Sequence, residues 1–114
     1  MTIKRGEVHL ACLDPVRGKE IAKTRPVVII SNDKNNEFSG TVSILPLSSK
    51  HMDKIFPFEV FLSKGMANLP KDSKIKADQI RTIDKSRLLN RIGVLNNDAI
   101  ASIEKALQIH LRLS

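Results

Sequence analysis

Four β-branched residues in a row, Val27-Val28-Ile29-Ile30, led by Pro26 and stopped by Ser31-Asn32, constrain this chain more than any other feature. Branching at Cβ stiffens χ1 and suits a pleated surface better than a helix. An unbroken apolar run has no polar face, so the strand expected over residues 27–31 is central and covered on both sides. Pro26 fixes the entry angle and drives Arg25 toward extended geometry. A charge-dense loop, Gly18-Lys19-Glu20-Ile21-Ala22-Lys23-Thr24, leads into that junction. A guanidinium on a rigid strand edge beneath a cationic loop is well placed to grip a phosphate.

The remaining patterns are mostly strands. Residues 7–13 alternate, with Val8, Leu10 and Cys12 on one face, and stop at Asp14-Pro15. Residues 14–25 read as a long loop and Asn32-Asp33-Lys34-Asn35-Asn36 as a turn. Further strands are expected over residues 41–47, 58–62, 73–80 and 92–95, with Asp84 capping a helical turn through residues 85–89. The last segment is a helix with Asn97 as N-cap, Asp98 in its first turn, and Ile100, Ile103, Leu107 and Leu111 as its apolar stripe. Many short strands closed by one amphipathic helix indicate a mainly β fold, a small antiparallel barrel with appended helices. With 114 residues the chain is long enough for one domain over residues 1–114. A barrel this small is expected to place at least two of the four phenylalanines in its core.

Composition narrows the partners. Nineteen Lys and Arg against twelve Asp and Glu give a formal charge of +7, which favours a polyanion or another acidic surface. Residues 64–91 hold +5 of it, from eight basic and three acidic side chains. Cys12 is the single cysteine, so no internal disulfide or thiolate zinc cluster is available, and it is expected as a small buried apolar residue. His9, His51 and His110 are scattered without ligand spacing, so neither a metal nor a cofactor is expected. His9 and His110 are expected to be structural. No signal-peptide pattern or apolar run of about 18 residues stands out, which points away from the membrane and to the cytoplasm.

Three motifs in order resemble the MazF/PemK toxins, small ribonucleases of bacterial toxin–antitoxin systems. The first is Gly18-x-Glu20-x-x-x-x-Arg25-Pro26-Val27-x-x-x-Ser31-Asn32, preceded by Lys4-Arg5-Gly6-Glu7-Val8 and Leu13-Asp14-Pro15. The second is Pro46-Leu47-Ser48-Ser49, and the third runs from Asp78-Gln79-Ile80-Arg81 through Thr82-Ile83-Asp84 to Leu88. The resemblance covers nearly the whole chain and selects the SH3-like barrel shared by MazF/PemK and CcdB toxins.

The resemblance implies sequence-selective cleavage of single-stranded RNA without a metal, using the substrate's own 2′-OH and leaving a 2′,3′-cyclic phosphate and a 5′-OH. Such chemistry needs a proton acceptor, a proton donor for the 5′-oxygen, and cations against the charge building on the phosphoryl oxygens. Arg25 is implied as phosphate clamp, since a guanidinium gives up its proton too reluctantly for proton donation and suits electrostatic stabilisation better. Ser48 stands where the family has a catalytic threonine and keeps the hydroxyl. Asp78 matches a candidate general base, and Lys76 stands where a branch of the family has arginine. Glu20 is a second, weaker candidate base. RNA contacts are expected from Lys19, Glu20, Lys23, Lys76, Gln79 and Arg81, with Phe56 as a stacking surface. Ile21 and Ala22 depart from the family's loop, where Gln and a small residue are usual.

Two alternatives share the architecture: a CcdB-like non-enzymatic gyrase poison, and an RNA-binding module that has lost cleavage. The first relies on an aromatic C-terminal end, whereas this sequence finishes Leu111-Arg112-Leu113-Ser114. The resemblance further implies a homodimer with the RNA groove between subunits, and neutralisation by a small acidic antitoxin.

Overall fold

The computed structural model describes residues 2–113. Seven antiparallel strands carry the fold: β1 (Glu7–Cys12), β2 (Thr24–Ile29), β3 (Thr41–Ser48), β4 (Glu59–Leu62), β5 (Ser73–Lys76), β6 (Arg81–Asp84) and β7 (Leu88–Val94). Two helices complete it, α1 (Asp33–Phe38) and α2 (Asn97–Leu111). The strands pair in the order β4-β5-β3-β2-β1-β7, and β6 pairs with the first half of β3. The expected mainly β architecture with a C-terminal helix is present. The ladder itself is open, with β4 and β7 as edges, so hydrogen bonding does not close it into the barrel anticipated from the sequence.

Strand β2 is the central element that its apolar run requires. Val27, Val28 and Ile29 are fully buried between β1 and β3. Because side chains alternate, Val28 joins Leu45, Leu47 and Ile75 in a core under α2, whereas Val27 and Ile29 join Val42, Ile44 and Leu13 on the other face. Val8 packs in the α2 core and Ala11 and Leu13 in the opposite one, with register irregularities against β7 between Val8 and His9 and between Leu10 and Ala11. The extra residues at those irregularities, Ile92 and Leu89, belong to β7, so β1 keeps its alternation and its two sides serve the two cores. Leu10 and Cys12, expected inside with Val8, share its side of the strand but are only half-buried.

Other departures have local causes. The expected turn at residues 32–36 is the start of α1: the Asn32 side chain accepts from the Asn35 amide, and buried Asn36 donates to the Ser31 carbonyl at 2.8 Å. Residues 73–80 break after Lys76 into a 3-10 turn, Ala77–Gln79, before β6. Asp84 does cap a turn through the Ser86 amide, but that turn ends at Arg87, and β7 is longer than the strand expected over 92–95. The N-cap of α2 is Asn96, one residue early, with its side chain accepting from the Ala99 amide. Ala99, Ile103 and Ala106 form the buried face of α2 and Leu111 is exposed, since small alanines let the helix lie close to the sheet. None of the four phenylalanines is buried: Val, Ile and Leu from both faces of the central strands already fill the core.

Candidate active site

Strand register alone brings the central residues together. β2 and β3 pair as far as Val27 with Pro46, and Arg25 and Ser48 each lie two residues beyond that pair. Ser48 in turn pairs with Lys74 of β5, and Lys76 of β5 pairs with Glu59 of β4. Side chains two apart share a face of a sheet. Arg25, Ser48, Lys74, Lys76 and Glu59 therefore emerge along one edge of one face.

They line a groove of about 540 Å³ whose other walls are the loops carrying Lys19 to Lys23 and Lys50 to Phe56, with Gln79 at its end. Six cations (Lys19, Lys23, Arg25, Lys50, Lys74, Lys76) line it against two carboxylates, Glu20 and Glu59, so its field favours an extended anion. Arg25 and Ser48 also line a second hollow of about 200 Å³, which puts them on the ridge between the two. Arg25 is half-buried and its Nε donates to the Ala22 carbonyl at 3.3 Å; it forms no ion pair with Glu20, whose carboxylate accepts from the Arg17 amide. The Ser48 hydroxyl accepts from the Lys50 amide at 3.1 Å.

The loop above the groove is tied at its base. Leu13 donates to the Lys23 carbonyl and Lys23 donates from its amide to Asp14. Gln79 accepts from the Ile21 amide at 3.4 Å. Asp78 and Arg81, by contrast, line an adjoining cleft of about 330 Å³ together with Glu20, Ile21 and Gln79. Asp78 reaches the main groove only through Lys76, 3.8 Å from its Oδ1. Phe56 is partly exposed, stacked on Phe58 at 5.4 Å, with the Lys54 ammonium 4.8 Å from its ring centre.

The strongest electrostatic feature was not evident in the sequence. Glu59 is buried, and burial works against its charge, yet hydrogen bonds from Lys76, the Phe56 amide and Lys74 outweigh it and hold its pKa below the ordinary value. Part of the positive charge along residues 64–91 is likewise engaged within the fold. Lys74 is neutralised by Glu59, Arg91 pairs with Glu7, and Arg87 donates to the Cys12 and Asp14 carbonyls. Among the described residues no group of three His, Cys, Asp or Glu side chains converges as a metal site would need.

Residues 4–111 match the PemK-like, MazF-like toxins of type II toxin–antitoxin systems. The chain belongs to this family. A similar family member is the endoribonuclease MazF9 of Mycobacterium tuberculosis, 38% identical over 97% of this chain and 98% of that protein. The fold is shared with the crystal structure of MazF from Deinococcus radiodurans, with a TM-score of 0.85 at 24% identity over 99% of both chains. It is shared as well with a mycobacterial endoribonuclease in complex with its cognate antitoxin, with a TM-score of 0.81 at 22% identity over 98% of this chain and 97% of that one. The resemblance read from Arg25-Pro26-Val27 and the two later motifs is thereby upheld. Among the described residues no helix of this family member is long and apolar enough to cross a membrane. Glu59 and Lys74 escaped the sequence reading because an isolated Glu at a strand start and a Lys in a basic segment look like solvated surface.

Proposed function

We propose that this protein is a metal-independent, sequence-selective endoribonuclease toxin that cleaves single-stranded RNA in the cytoplasm. The observation carrying the reading is that Arg25 and Ser48, each two residues beyond the last pair of β2 with β3, line one groove with five further cations and two carboxylates, in a chain of the MazF/PemK family. RNA enters with a phosphate at the Arg25 guanidinium, whose fork can bind two phosphoryl oxygens while Nε stays on Ala22. The Ser48 hydroxyl and Lys76 ammonium supply further donors as charge builds on the pentacoordinate phosphorus.

The substrate's 2′-OH is the nucleophile: its oxygen bonds to phosphorus as the P–O5′ bond breaks, and the departing 5′-oxygen takes a proton from solvent, giving a 2′,3′-cyclic phosphate and a 5′-OH. Asp78 is our assignment for the proton acceptor: its Oδ1 holds no hydrogen bond, whereas the Glu20 carboxylate is engaged by the Arg17 amide. Such an RNA follows both clefts, with Lys19, Glu20, Lys23, Gln79, Arg81 and Phe56 as contacts. Two subunits form a homodimer, and a small antitoxin with an acidic segment competes with RNA for the cationic groove.

The test is incubation of purified protein with a long single-stranded RNA in excess EDTA. Cleavage leaving 2′,3′-cyclic phosphate and 5′-OH ends is expected. Strict dependence on added divalent ion, or 3′-OH ends, refutes the mechanism. Tight RNA binding without cleavage would instead indicate a silent binding module. Light scattering should give the mass of a dimer at micromolar concentration.

A further inference from the structure

Two charged residues line the proposed RNA groove without being able to serve the RNA directly. An ammonium has three N–H donors. Those of Lys74 face the His51 carbonyl at 2.9 Å, the Lys54 carbonyl at 3.2 Å and Glu59 Oε1 at 3.3 Å, and the side chain is 4% exposed. No donor remains for a phosphate. Glu59 is equally committed: its carboxylate accepts from the Phe56 amide at 2.9 Å, from Lys74 at 3.3 Å and from Lys76 at 2.7 Å, and is wholly buried. Lys76 differs, since its ammonium holds Glu59 on one side and remains partly exposed on the other.

We infer that Glu59 and Lys74 are positioning residues of this site: Glu59 aims the Lys76 ammonium into the groove, and Lys74 fastens residues 51–56 as the groove's wall. The inference rests on the endoribonuclease reading above and adds two residues to it. Antiparallel register makes the device possible, because Glu59 lies directly opposite Lys76 and diagonal to Lys74, within reach of both. A free lysine on a four-carbon stem samples many rotamers. Buried pairing with a carboxylate holds one of them and keeps the cation in place before substrate arrives. The two loop carbonyls taken by Lys74 are the anchors that bring Lys54 and Phe56 to the rim, where the ammonium lies over the Phe56 ring.

A purely structural Glu59 and a positioning Glu59 differ in how their losses combine with that of Lys76. Glu59→Gln, Lys76→Met and the double variant would be assayed as full chains on one single-stranded RNA in EDTA, with melting temperatures measured alongside. Each single variant should lower kcat by roughly 10- to 100-fold, with KM within about threefold. The double variant should be no slower than Lys76→Met, because Glu59 acts through that ammonium. Losses that multiply in the double variant, or a wild-type kcat in Glu59→Gln, overturn the role of Glu59.

Lys74→Met carries the second half and does not depend on cleavage. Amide hydrogen exchange over residues 51–56 should quicken about tenfold, while the exchange of β2 and β3 stays unchanged. KM should rise with kcat within about threefold. Unchanged exchange over residues 51–56 overturns the role of Lys74, and this arm also decides the matter if Glu59→Gln fails to fold. Wild-type protein that leaves RNA intact refutes the endoribonuclease reading and the Lys76 half with it, while the exchange result still judges the wall.

Discussion

Replacing Arg25 by Ala should separate catalysis from folding more sharply than any other single change. The side chain gives the folded state one hydrogen bond, Nε to the Ala22 carbonyl at the long distance of 3.3 Å, and among the described residues it has no ion pair. A neutral-acceptor bond of that kind contributes about 1 kcal/mol or less. For a chain of this size the melting temperature should fall by about 5 °C at most. The other four guanidinium N–H groups are free for the phosphate. Loss of a preorganised donor at a developing oxyanion costs about 2.7–4 kcal/mol, or roughly 100- to 1,000-fold in kcat. Arg25→Lys keeps the charge but not the planar fork, so it should recover only part of that loss and remain about tenfold slow. Single-turnover cleavage of a defined RNA in EDTA, with circular-dichroism melting of each variant, reads both quantities. An Arg25→Ala variant within threefold of the wild-type rate would show that the clamp lies elsewhere. A fully active Arg25→Lys would show that charge alone suffices.

Ser48→Ala should keep the fold, losing one acceptor for the Lys50 amide, and lower kcat at least about tenfold; a normal rate would remove the hydroxyl from the chemistry. Gly93→Ala should destabilise the protein by about 1–3 kcal/mol, because the added Cβ would lie 2.5 Å from the backbone oxygen and 2.6 Å from the carbonyl carbon of Ala67; an unchanged urea midpoint would refute that close approach. Acid should also weaken the fold. Burial opposes the charge of Glu7 and of Glu59, but bonds from His9, the Lys4 amide and Arg91 at the first, and from Lys76, the Phe56 amide and Lys74 at the second, lower both pKa values. A carboxylate with a lowered folded pKa contributes stability that is complete above its ordinary value of 4.5 and is lost as pH falls below it. Urea midpoints should therefore be flat near neutrality and fall below about pH 4.5, and Glu59→Gln should shrink that fall; a pH-independent midpoint would contradict the two buried carboxylates.

What the sequence determines here is local or patterned. The run from Val27 to Ile30 can bury both faces only in a central strand, and β2 is that strand. The amphipathic C-terminal helix was legible to within one residue of its cap, since the competition between Asn96 and Asn97 turns on which side chain meets the Ala99 amide. Arg25, Ser48 and Asp78 were legible as candidates because they fall in motifs with an ordered spacing, and the family match over residues 4–111 upholds the resemblance that supplied them. That both sides of β1 would be covered was not legible, so its alternation put Leu10 and Cys12 inside with Val8 and left out Ala11 and Leu13, which enter the second core. Nor was the openness of the ladder, because pairing between distant strands leaves no periodic trace in either one.

The site's electrostatics belong wholly to tertiary structure. Lys74 and Lys76 are the same residue type two positions apart, yet one has every donor engaged and the other faces the groove. Only the antiparallel register of β4 on β5, together with a loop folded back over Glu59, creates that difference. Burial, which sequence does not print, turns a glutamate and a lysine that look like solvated surface into a charged pair that must be satisfied by neighbours far away in the chain.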